Sequence, residues 1–121
     1  MELQKIAADF TICKLEDLNQ IDFTREFVFF AKTDDEISVV CESAYAPPTA
    51  IISEAGWKAL KVSGILDFGL IGVIAKIATI LADAGISIFV VSTYNTDYIL
   101  VKAENFARSV QTLTDNGYTI K

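Results

Sequence analysis

Leu70-Ile71-Gly72-Val73-Ile74-Ala75-Lys76-Ile77-Ala78-Thr79-Ile80-Leu81-Ala82-Asp83-Ala84-Gly85 runs directly into Ile86-Ser87-Ile88-Phe89-Val90-Val91-Ser92-Thr93, and the change of rhythm between the two decides the fold. In the first stretch the non-apolar positions Gly72, Lys76, Thr79 and Asp83 are spaced by four, three and four. Such spacing draws one narrow polar stripe along an otherwise apolar helix. A helix is therefore predicted over 70–84, lying deep against a sheet and against a partner, with Gly85 at its left-handed C′ position. The second stretch is β-branched and aromatic and reads as a central strand.

Outward from this pair, 57–65 alternates at period two, with Leu60 and Val62 facing a core. Tyr94-Asn95-Thr96-Asp97 is a turn, and Tyr98-Ile99-Leu100-Val101-Lys102 returns as an antiparallel partner. Residues 104–115 place Phe106, Ala107, Val110 and Leu113 on one helical face, with Glu104 at the positive end of the dipole. Asn116-Gly117 stops that helix before a short last strand, Tyr118-Thr119-Ile120. Strand, helix, strand, strand, helix, strand with right-handed crossovers folds into a four-stranded antiparallel sheet with both helices on one face. The fold class is α+β, a ferredoxin-like sandwich.

The first half repeats this order more faintly. Residues 10–15 alternate like a strand, 16–20 suit one helical turn, and 27–31 and 37–41 read as strands joined through Thr33-Asp34-Asp35-Glu36. Pro47-Pro48 breaks the chain. Residues 50–52 are expected to pair in a hairpin with the strand from Trp57, through Ser53-Glu54-Ala55-Gly56. On element order the chain divides into a shortened unit over 1–55 and a full one over 56–121.

Composition excludes much chemistry. The 121 residues contain no histidine, which removes Ser–His, Cys–His and His–zinc arrangements. Asp34, Asp35 and Glu36 cannot converge on one ion without the glycine spacing of a calcium loop, so no metal and no cofactor are expected. Cys13 and Cys41 alternate with apolar neighbours and read as packed strand residues. The net charge of −6 argues against nucleic acid as a partner. It is uneven: 1–55 holds 4 basic and 11 acidic residues, 56–121 holds 6 and 5. Lys76 and Asp83 interrupt the apolar stretch 68–91, so no membrane span is expected. Met1-Glu2-Leu3-Gln4-Lys5 does not read as a secretory signal. The expected setting is cytoplasmic, with both thiols reduced.

Three runs resemble the ACT domain family: Gly64-Ile65-Leu66-Asp67-Phe68-Gly69-Leu70-Ile71-Gly72, then 81–88, then Ser92-Thr93-Tyr94-Asn95-Thr96-Asp97-Tyr98-Ile99-Leu100-Val101. The last is similar to a serine-threonine-x-x-threonine-aspartate block of the aspartate-kinase-like branch, which includes small tandem-ACT proteins and cytosolic arginine sensors. Residues 33–41 resemble the first ACT-like unit of the same proteins. The resemblance implies a regulatory module that holds an amino acid between two ACT units. Carried over, the ligand loop is Phe68, Gly69, Leu70, Ile71 and Gly72, and the turn Asn95, Thr96 and Asp97 meets the ligand amine through its aspartate. Ser38 and Val39 supply contacts from the other unit. This chain departs from the pattern at Ile71, where a threonine is common.

These readings converge on a homodimeric sensor that binds an amino-acid-like zwitterion and performs no catalysis. The alternative is a structural or protein-interaction module with a vestigial ligand site.

Overall fold

A computed structural model describes residues 1–65 and 71–121. In chain order its strands are β1 (Glu2–Lys5), β2 (Phe10–Leu15), β3 (Val28–Lys32), β4 (Ile37–Glu42), β5 (Ile52–Val62), β6 (Phe89–Ser92), β7 (Asp97–Lys102) and β8 (Thr119–Ile120), with helices α1 (Val73–Asp83) and α2 (Ala103–Asp115). Single 3-10 turns lie at Leu18–Gln20 and Ser43–Tyr45. The chain forms two compact units, one made of Met1–Ala7 with Lys58–Lys121, the other of Ala8–Trp57.

The helical unit has the ferredoxin-like order with one insertion. β5 pairs with β7 on one side and with β1 on the other, β7 pairs with β6, and β8 pairs with β1. β1 thus lies between β5 and β8, where the expected sheet has the first and last strands as neighbours. Leu3 faces Val62 in the antiparallel pair and Ile120 in the parallel one. The four-stranded antiparallel sheet expected for this unit is therefore widened by one strand and mixed. The cause is visible in the backbone: Ser63 N donates to Glu2 O (3.0 Å) on one side, and Lys121 N donates to Leu3 O (2.9 Å) on the other. Both edges of β1 are thus satisfied.

Ile77 and Leu81 of α1 and Leu113 of α2 share one core with Leu3, Leu60, Val62, Ile99 and Val101. Both helices therefore cover the same sheet face, as expected. α1 begins at Val73 rather than 70, because Gly72 at φ +82° is outside helical geometry. Only Ile77 and Leu81 are fully buried in α1, a narrower buried stripe than the sequence suggested. β6 is shorter than its apolar run, and among the described residues it pairs only with β7, so it is an edge strand rather than a central one. The residues before it do other work: Ile86 and Ile88 pack into the core from the loop.

In the second unit β2 lies between β4 and residues 52–57 of β5, with β3 outside β4. The hairpin expected through 53–56 does not form. β5 runs straight through Gly56, and Phe10 faces Trp57 while Ile12 faces Glu54, two steps on β2 against three on β5. The extra residue makes a β-bulge, and Gly56 takes it up at φ +85°. A glycine that reads as a turn from sequence thus serves as a bulge. Cys13, Leu15, Ile21, Val39 and Cys41 form this unit's core. Asp17 caps the first 3-10 turn in a capping box with Gln20.

The hairpins of the two units are built alike. Thr33 N donates to Glu36 O at 2.9 Å and Thr93 N to Thr96 O at 2.8 Å. Lys32 faces Ile37 as Ser92 faces Asp97. β4 buries Val39, Val40 and Cys41, and β7 buries Ile99, Leu100 and Val101.

Candidate functional site

The turn before β7 is fixed from within. Thr93 Oγ1 donates to Thr96 O (3.0 Å), and Thr96 N donates back to Thr93 Oγ1 (3.4 Å). Thr96 is 3% exposed, and its Oγ1 donates to Val62 O at 2.8 Å. The start of β7 is thereby tied to the end of β5, just ahead of the segment that leads into α1. Asp97, half-buried, follows this anchor, and its Oδ1 accepts from Ser92 Oγ at 2.6 Å. Asn95 is exposed on the turn. Thr96 therefore spends its hydroxyl on the fold, while one oxygen of Asp97 is taken by Ser92.

The start of α1 stands at the same end of this unit's sheet. Among the described residues no side chain caps α1, and no acidic residue lies in its first turn. Helix N-termini present donors without intrahelical partners, and here the flanking side chains of Ile71, Val73, Ile74 and Ala75 offer no acceptor. Ile71 is 92% exposed. A cavity of about 220 Å³ opens here, lined by Ile71, Gly72, Val73 and Lys76 from the start of α1, by Asn116, Gly117 and Tyr118 ahead of β8, and by Met1.

The sequence-predicted site residues separate into four groups. Ile71 and Gly72 line this cavity. Asn95, Thr96 and Asp97 belong to the same end of the unit but are not among its lining residues. Phe68, Gly69 and Leu70 lie outside the described residues. Ser38 and Val39 are in the other unit. Ser38 is half-buried and lines a cavity of about 370 Å³ with Ile12, Lys14, Glu36, Ile52 and Glu54. Val39 is 1% exposed, its side chain in the core. Lys76 and Tyr118 were not singled out from sequence. Lys76 read as one member of a polar stripe, although a lysine in the first turn of an uncapped helix is itself a signal, and Tyr118 read only as a strand residue.

Cys13 and Cys41 are both buried with free thiols. Burial, then the neighbouring Cys13 and Glu42, pushes the Cys41 thiol up to about 11. Among the described residues no group of three or more His, Cys, Asp and Glu side chains could hold a metal ion, and no helix is long and apolar enough to cross a membrane.

The sequence pattern of the ACT domain matches residues 52–115, more than half of the chain. The chain belongs to the ACT domain family. The matched residues run from the start of β5 to the end of α2. No curated protein sequence matches the chain. Among solved structures, a protein from Agobacterium tumefaciens has a similar fold with a TM-score of 0.87 at 27% identity, covering 99% of this chain and 91% of that one. A Vibrio cholerae protein of unknown function, described as a possible transport protein, gives 0.76 at 21% identity, covering 92% of this chain and 85% of its own. The aspartate kinase of Clostridium acetobutylicum, an allosteric enzyme, gives 0.62 at 16% identity, and the match covers 93% of this chain but 33% of the kinase. The last two are likenesses of fold.

Proposed function

We propose that this ACT protein is a homodimeric regulatory module that binds an amino acid or a similar small zwitterion and performs no catalysis. The observation that carries the reading is the hydrogen bond from Thr96 Oγ1 to Val62 O (2.8 Å). It ties the turn that carries Asp97 to the end of β5, the strand that precedes α1 in the chain. An α-carboxylate suits helix amides, and an α-ammonium suits a fixed aspartate. The kinase of which 33% matches this fold is described as allosteric, which fits a module that acts by differential ligand affinity between two arrangements. In this reading residues 1–55 are a shortened ACT-like unit.

A thermal-shift scan of the standard amino acids tests it. A ligand at 100 times its dissociation constant adds about 2.7 kcal/mol, a shift on the order of 10 °C for a chain of this size. Asp97→Ala is expected to abolish the shift while leaving the circular dichroism spectrum unchanged. A second reading, an interaction module whose ligand site is vestigial, is favoured by the Ser92–Asp97 hydrogen bond (2.6 Å), which already occupies one carboxylate oxygen. Under that reading no amino acid shifts the melting temperature.

A further inference from the structure

β3 is the outermost strand of its unit, and among the described residues it pairs only with β4. The register fixes which of its backbone groups face outward. Thr33 N donates to Glu36 O at 2.9 Å, so Thr33 and Glu36 form a hydrogen-bonded pair. Bonded and non-bonded pairs alternate along an antiparallel ladder. Ala31 with Ser38 and Phe29 with Val40 are then bonded pairs, whereas Lys32 with Ile37, Phe30 with Val39 and Val28 with Cys41 are not. The N–H and C=O groups of Val28, Phe30 and Lys32 therefore point away from β4, and no other described backbone group takes them. An edge of this kind templates the pairing of another chain.

Beside that edge lies an aromatic shelf. Phe30 of β3 is 52% exposed, and Phe23, 54% exposed, packs edge-on against it with ring centroids 5.3 Å apart. The loop that carries Phe23 is anchored: Arg25 stacks on the Tyr45 ring at 3.9 Å and pairs with Asp22 at 3.0 Å. Charge surrounds the shelf on both sides in sequence. Asp22 and Glu26 precede β3, and Asp34, Asp35 and Glu36, all exposed, follow it. Arg25 and Lys32 are the basic residues of this stretch, and Arg25 is spent on Asp22. An acidic rim thus borders an apolar centre and a row of outward backbone groups.

We propose that the β3 edge and the Phe23–Phe30 shelf form a docking surface for an extended, basic segment of another protein, which adds to the sheet as a strand beside β3. Main-chain hydrogen bonds to Val28, Phe30 and Lys32 supply affinity, and alternate side chains of the segment supply specificity. Apolar ones rest on the two rings, and Lys or Arg meets the acids. A second copy of this chain is the wrong occupant, because pairing β3 with itself sets the acidic rim against its own like. The proposal goes beyond the ligand-binding reading and uses neither Asp97 nor the start of α1.

The test is an NMR titration of the full chain labelled with ¹⁵N. The probe is an acetylated, amidated heptapeptide of alternating lysine and valine, and the control alternates glutamate and valine. The expected result is saturable binding of the lysine peptide alone, with slowed hydrogen exchange at the Val28, Phe30 and Lys32 amides. Raising sodium chloride from about 20 to about 300 mM is expected to weaken it. Phe30→Thr is expected to weaken it at least about tenfold through lost apolar contact. Lys32→Pro removes an outward donor, which an edge strand tolerates, and is expected to weaken binding at least about fivefold. Lys32→Gln keeps that donor and is expected to bind at least as tightly as the wild type. Charge attraction alone would make both Lys32 variants bind more tightly, so a Lys32→Pro chain that binds as well as Lys32→Gln overturns the proposal. No saturable binding, equal binding of the glutamate peptide, or unchanged affinity in Phe30→Thr overturns it too. Concentration-dependent protection of the same amides without peptide gives the edge to a second copy and also overturns it.

Discussion

Thr96 shows how a residue can look like a ligand contact in sequence and serve the fold in structure. Its hydroxyl sits in a nearly dry site and satisfies the Val62 carbonyl. Thr96→Val keeps the shape, removes the donor and leaves that carbonyl short of a partner, which is expected to lower stability by about 1–2 kcal/mol in urea denaturation. Thr96→Ser is expected to keep the bond and most of the stability. The Cys41 thiol illustrates burial acting on chemistry. Its pKa is raised from 9.0 to about 11, so its contribution to stability is fully present below pH 9 and is lost as pH rises through the raised value. Stability measured between pH 9 and 11 is expected to fall less steeply in Cys41→Ala than in the wild type. Equal slopes would show that the folded thiol titrates normally.

At the scale of elements, Gly56 separates backbone from packing. A Cβ added there meets nothing within 4 Å, yet the residue sits at φ +85°. Gly56→Ala is therefore expected to cost about 1–2 kcal/mol through backbone strain alone, measured as a shift of the denaturation midpoint with an unchanged slope. A neutral Gly56→Ala would mean that the bulge relaxes.

The elements that could be read from sequence are those whose own pattern meets a single face: β2, β4, β7 and α2 each place their apolar residues where one core takes them. Those that could not be read depend on distant partners. β1 offers one apolar side chain, Leu3, in the run Glu2-Leu3-Gln4-Lys5, and becomes a strand because β5 and β8 satisfy both its edges. β5 was cut in two because Gly56 carries the composition of a turn. The site divides on the same line. Gly72 was legible as a residue of the ligand loop that the resemblance implies, but its helical spacing with Lys76 hid that it stands before the helix, outside helical geometry. Tyr118 and Lys76 stand far apart in the chain, and only the fold brings both to the lining of one cavity.

At the scale of the molecule, the proposed homodimer is expected to form away from the acidic surface. Residues 8–57 hold 10 acidic and 3 basic side chains, whereas the helical unit is close to neutral. Like-charge repulsion opposes contact through the acidic unit and leaves the helical one as the surface for a second copy. There the outer side of α1 presents Ala75 and Ala82, and Ala78, Ala82, Ile86 and Ile88 line an open groove of about 560 Å³ leading to the edge strand β6. An apolar groove beside an edge strand is a surface that association covers. Light scattering at tens of micromolar protein is expected to give twice the mass of the chain. Ala82 is exposed, so Ala82→Glu is expected to leave the fold within about 0.5 kcal/mol of the wild type. In a dimer the same change buries a carboxylate without a partner, which is expected to weaken association at least about tenfold. A wild-type monomer would remove the dimer from the proposal, and an Ala82→Glu dimer of unchanged affinity would move the interface away from this groove.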